Sequence, residues 1–185
     1  MVRVKVGGWK AVLLSWLQVD PALFASTSAL RKLYARPMTA KSASRSAARL
    51  AAVQALFQHQ MEKTPIARLL KEFHDHRLGQ EIEDDQYHAA EVDFFDDIVS
   101  GFDEKADEID ALIDKNLSSG WSIGRLDKTM LQILRAGSFE LIARDDIPTG
   151  TVISEYVDVA KAFFNRKDSG FVNGLLDAIA KEVRG

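Results

Sequence analysis

Residues 126–142, LDKTMLQILRAGSFELI, constrain this chain more than any other stretch. Leu126, Met130, Ile133, Leu134 and Leu141 recur at three-to-four spacing and mark one helical face. Leu131, Phe139 and Ile142 spread onto the neighbouring faces, leaving Asp127, Lys128, Gln132, Arg135 and Glu140 as a narrow polar strip. A helix that is apolar around most of its circumference needs partners on several sides. The stretch therefore reads as the central strut of a helical bundle.

The flanking segments supply those partners. Between residues 44 and 61, Leu50, Val53, Leu56 and Phe57 share a face, and Lys41, Arg45 and Arg49 precede or open it at intervals of four. If the helix reaches back that far, the three cations project from one side; the alternative is a solvated tail. Thr64-Pro65 has the form of an N-cap followed by Pro at the first helical position, opening a short helix through Phe73. Residues 74–86 read as a polar loop. Phe94, Phe95, Ile98, Val99 and Phe102 mark a further helix, Ile109, Leu112, Ile113 and Leu117 the next, with Gly101 as the break between them. Pro148 ends the central helix. Residues 151–164 form the penultimate helix, and Asp168-Ser169 caps the last, which buries Val172, Leu175, Leu176 and Ile179. No segment alternates as a strand would. The fold class is all-α, a compact bundle of about seven helices.

At 185 residues the chain suffices for one domain with a real core. It has no cysteine, which excludes disulfides, thiolate metal sites and a thiol nucleophile. Residues 1–37 carry six Lys/Arg and one Asp, a net of +5, whereas residues 38–185 are net −8. A domain that acidic binds nucleic acid only through a local basic patch. The acidic run over residues 81–114 reads as a solvated face. His74, Asp75, His76 and His88 invite a metal site, but histidines one residue apart in a polar loop do not converge as an i, i+4 pair would. No phosphate-cradling Gly loop, nucleophile elbow or His relay is present, so the sequence reads as a non-enzyme without cofactor or metal.

Residues 1–40 read as an N-terminal extension outside the fold, and residues 41–185 as the domain. The extension has a basic start, a short apolar run and a Ser/Thr/Ala-rich stretch. The run is broken by Ser15, ill-suited to signal cleavage and too short to span a bilayer. A natural start at Met38 is the favoured reading, a targeting segment the second.

Two stretches resemble the NusB family of bacterial transcription antitermination factors. One is KSASRSAARLAAVQALFQHQ, with its basic start and A-V-Q-A-L helix. The other is the C-terminal half, with Ile153, Glu155, Ala160 and Lys161 in an I-x-E-x-x-x-x-A-K pattern and FVNGLLD at residues 171–177. The resemblance covers most of residues 41–183. It implies a NusB-like fold of two packed three-helix sub-bundles and an RNA-binding, cytoplasmic protein without catalytic activity. The implied partners are boxA RNA, the ribosomal protein NusE and the RNA polymerase antitermination complex, with no membrane; monomer and homodimer both remain open. The family's basic start falls on Lys41, Arg45 and Arg49, its RNA-contacting aromatic on Phe171, and an acidic position of the same surface on Asp127. Lys167, in the segment 165–170, completes the implied RNA-binding set. Read without the family, Phe171 is slightly better placed as a core residue of the last helix than as a stacking platform. Two other readings compete: a module like the RNA-binding domain of ribosomal RNA cytosine methyltransferases, and a helical adaptor whose acidic face meets a basic protein.

Overall fold

Asp127 starts the central helix by accepting the N–H groups of Thr129 and Met130 at 2.8 and 3.1 Å. In the computed structural model, which describes residues 39–76, 78 and 91–185, that helix is the fifth of seven. The order is α1 (Ala40–Glu62), α2 (Ile66–His76), α3 (Val92–Glu104), α4 (Ala106–Asn116), a 3-10 turn (Ile123–Arg125), α5 (Lys128–Ala143), α6 (Thr149–Phe163) and α7 (Arg166–Val183). No strand occurs among the described residues. Helices α1 and α3 pack on one side of α5 with α2 laid against them, and α4, α6 and α7 pack on the other. No helix among the described residues is long and apolar enough to cross a membrane.

Enclosure of α5 is more complete than its sequence pattern shows. The polar strip faces solvent only at its start: Asp127 and Lys128 are exposed, whereas Gln132 and Glu140 are fully buried. Gln132 donates to the Gln60 side chain of α1 and to the Lys128 carbonyl, and Arg135 forms a two-pronged pair with Asp110 of α4 at 2.8 and 2.6 Å. Buried polar groups are tolerated where they find partners, as these do; the buried Ser138 hydroxyl of the same helix has none among the described residues.

Glycine sets how closely two of these helices approach α5. Gly101 lies inside α3 and does not end it; the break falls at Lys105, which closes α3 and opens α4. A Cβ on Gly101 would overlap the Phe139 ring of α5, which is itself core. Gly101→Ala is therefore expected to cost about 1–3 kcal/mol by overpacking, read as a lower midpoint in urea at unchanged slope. Gly137 of α5 plays the same part toward α7 and α6, with Leu176 and Tyr156 carbons 3.0–3.2 Å from a Cβ placed there. Gly174, in contrast, is exposed with open space around it and admits no neighbouring helix.

Two helix starts differ from the sequence reading. Pro65, not Thr64, occupies the capping position of α2: its carbonyl accepts from Arg68 and Leu69, and α2 runs on through His76. Asn165, not Asp168-Ser169, caps α7 by accepting from the amides of Lys167 and Asp168. Residues 166–170 are consequently the first turn of a helix and not a loop.

Candidate functional site

The basic row of α1 splits between surface and core. Lys41 is exposed, Arg45 is half-buried, and Arg49 retains only 3 % of its accessible surface. Side chains four apart on a helix of 3.6 residues per turn drift by roughly 40° per step, so two steps carry the third from the rim to the interior. The expectation of three cations projecting from one exposed side is corrected at Arg49. Its guanidinium donates to both oxygens of Glu140 on α5, through Nε at 2.9 Å and Nη2 at 2.5 Å, and to Glu155 of α6 at 3.1 Å. Ser46, one turn earlier, donates to Glu155 as well. Burial opposes the charge on Arg49, but Glu140 overcomes it by hydrogen bonding and by its own charge, and the pKa stands above the ordinary value. Burial and then the Glu140 charge push the enclosed Tyr156 phenol well up.

Arg45 turns the other way, toward the start of α3. Its Nε donates to Glu91 Oε2 at 3.0 Å, and this hydrogen bond holds the Glu91 carboxyl below its usual range. Arg45, Arg49 and Arg144 all place their guanidinium carbons 5.0–5.1 Å from the centre of the Phe94 ring. Arg144 in turn pairs with Asp97 at 2.7 Å and with Asp146 at 2.8 Å, lowering the Asp146 carboxyl to about 2. Every arginine around Phe94 thus faces at least one carboxylate. Of the row, Lys41 has no ion pair among the described residues.

A second cluster forms where α7 begins. The Phe171 ring is half-buried against the core and 6.4 Å, centre to centre, from the ring of Trp121. It is neither the enclosed core residue nor the free platform that its sequence position allows. Lys167 is exposed one turn before it, on the helical first turn. Asp127 is exposed too, but its carboxylate is engaged in capping α5. The aromatic neighbour of Phe171 is Trp121, and the ring beneath Arg45 and Arg49 is Phe94, so the two clusters have different centres.

His74 hydrogen-bonds to Asp96 at 2.6 Å, joining α2 to α3. No group of three metal-binding side chains occurs among the described residues, and His88 lies outside them.

Comparison with known proteins then decides the kinship. The model described as NusB family matches residues 46–181. This chain belongs to the NusB family. It is 64% identical over 147 residues to the transcription antitermination protein NusB of Sphingopyxis alaskensis, covering 80% of this chain and 99% of the relative. With that of Caulobacter vibrioides it shares 48% over 140 residues, 76% of this chain and 94% of the relative. Among solved structures, NusB of T. maritima superposes with a TM-score of 0.62 at 31% identity, covering 75% of this chain and 91% of that one. A crystal structure of the antitermination factors NusB and NusE in complex with dsRNA gives 0.63 at 29% identity, covering 75% and 97%. These relatives are named for a role in transcription rather than for catalysis. The NusB match includes Arg49, Asp127, Lys167 and Phe171 and begins after Lys41 and Arg45.

The family pattern also acquires a physical meaning. Glu155 of the I-x-E pattern is the acceptor for Ser46 and Arg49. In FVNGLLD, Val172, Leu175 and Leu176 are core, whereas Asn173 and Gly174 face solvent. Sequence reasoning missed Glu91 as the partner of Arg45, and Arg144 as the third arginine on Phe94. Neither has a local signal, because the partners are 46 and 50 residues away along the chain.

Proposed function

We propose that this protein is a transcription antitermination factor that binds boxA RNA together with NusE. It then joins RNA polymerase in the cytoplasm and keeps transcription of ribosomal RNA operons processive. The observation that carries this reading is the near full-length match to relatives named transcription antitermination protein NusB. A structural neighbour held with NusE and RNA supports the partners. On this reading Phe171 stacks a base, Lys41, Arg45 and Lys167 meet phosphates, and Asp127 orders the edge of the seat by capping α5. Arg49 acts through the fold.

Binding of boxA and scrambled RNA, with and without NusE, tests the proposal. A preference for boxA in the presence of NusE is expected, and equal binding of both RNAs would overturn it. Phe171→Ala should weaken binding by about 1–3 kcal/mol. Arg45→Ala should flatten the dependence of log K on log salt by roughly 0.7, the increment for one single-strand phosphate contact. Glu91→Gln should tighten binding, because the carboxylate competes with phosphate for Arg45. Unchanged affinity in all three variants would remove these residues from the interface.

A further inference from the structure

Trp121 is the most exposed large apolar side chain among the described residues, with 54% of its surface open. Its position is built rather than loose. The backbone N–H of Trp121 donates to the Ser118 carbonyl at 3.0 Å, and the backbone N–H of Ile123 donates to Asp114 Oδ1 at 2.9 Å, so the loop is tied down on both sides of the indole. The Phe171 ring is inclined at 38° to it. Arg125 lies over the indole with its guanidinium carbon 5.5 Å from the ring centre, while its Nη1 donates to the Gly120 carbonyl at 2.7 Å. An indole that hydrophobicity would bury is thus held open, between a second aromatic ring and a tethered cation.

We propose that Trp121 is a second stacking residue for single-stranded RNA, taking the base next to the one on Phe171, with Arg125 meeting the adjoining phosphate. The inference rests on the RNA reading of Phe171 given above. Aromatic faces in series with a guanidinium suit successive bases and the phosphate between them. The charge around the indole agrees. Arg125 and Lys128 are exposed beside it in the chain, and two nearby carboxylates point at backbone amides, Asp114 at Ile123 and Asp127 at Thr129 and Met130.

The test uses the full chain with Trp9→Phe and Trp16→Phe, which leaves Trp121 as the sole indole. Single-stranded boxA RNA and a series carrying one abasic position at a time are titrated, with and without NusE. Indole fluorescence should change on binding. Trp121→Ala should weaken binding about 5- to 160-fold, the equivalent of one lost stack, while Trp121→Phe retains most of the affinity. One abasic RNA should lose as much as Trp121→Ala does, and on that RNA the substitution should cost nothing further. If Trp121→Ala does not fold, the indole signal decides: one abasic RNA should bind without the fluorescence change, and an identical change with every RNA overturns the inference. Unchanged affinity in Trp121→Ala, alongside loss in Phe171→Ala, overturns this inference and leaves the RNA reading standing. Failure of the parent chain to bind any of the RNAs overturns both. Weakened NusE capture with RNA affinity intact assigns the indole to a protein contact and overturns the inference.

Discussion

Arg49→Ala is expected to destabilise the protein by about 3–5 kcal/mol, because it strands a carboxylate in the core. Glu140 is fully buried on α5, and both its oxygens accept from Arg49. With the guanidinium gone, Glu140 must either remain charged without its partner or take up a proton, and each costs free energy. For a domain of this size the loss corresponds to a fall in melting temperature on the order of 10 °C, measured by circular dichroism. Glu140→Gln should be milder, since Glu155 remains to face Arg49 at 3.1 Å. Arg49→Met combined with Glu140→Leu should recover much of the loss, since removing both charges leaves neither buried alone. A loss below about 1 kcal/mol in Arg49→Ala would mean that water reaches the pair. On the RNA reading proposed above, reduced RNA binding by an Arg49 variant would report the fold, whereas reduced binding by an Arg45 variant would report the surface.

Arg184→Ala should be the second most damaging change, at about 2–4 kcal/mol, given that hydrogen bonds from a charged donor are worth about 1.5–3 kcal/mol and do not add fully. The guanidinium follows α7 to the C-terminal end of α5, where it adds a second donor to the carbonyls of Glu140 and Arg144, which already accept the Arg144 and Ile147 amides. It donates to the carbonyls of Glu140, Leu141, Arg144 and Ile147 at 2.6–2.9 Å. A cation at a helix C-terminus also opposes the negative end of the macrodipole. Arg184→Lys should restore only part of the loss, because an ammonium lacks the planar fork that serves several acceptors at once. Thermal unfolding of the two variants checks this; equal melting of Arg184→Ala and the parent chain would show that water satisfies those carbonyls as well.

These two residues mark where reading from sequence stops. Arg184 lies next to the C-terminus, where a lone basic residue looks like any solvated end, and its acceptors are 37–44 residues back along the chain. Arg49 sits in a row of cations at intervals of four, a pattern that suggests a shared face. Nothing local reveals that the interior side of α1 would meet a carboxylate 91 residues away. Trp121 lacked a signal for a similar reason: its exposure depends on a loop tied down by Ser118 and Asp114.

The helical class, the central place of the 126–142 stretch and the family were legible in the chain alone, because apolar periodicity and the FVNGLLD pattern are properties of consecutive residues. Which charges face water followed only from how the helices pack. Ion pairing depends on what packs opposite, and a helix turn of 3.6 residues moves equally spaced side chains steadily around the axis until one of them is enclosed. Lys41 therefore remains outside, Arg45 is shared with Glu91, and Arg49 belongs to the core.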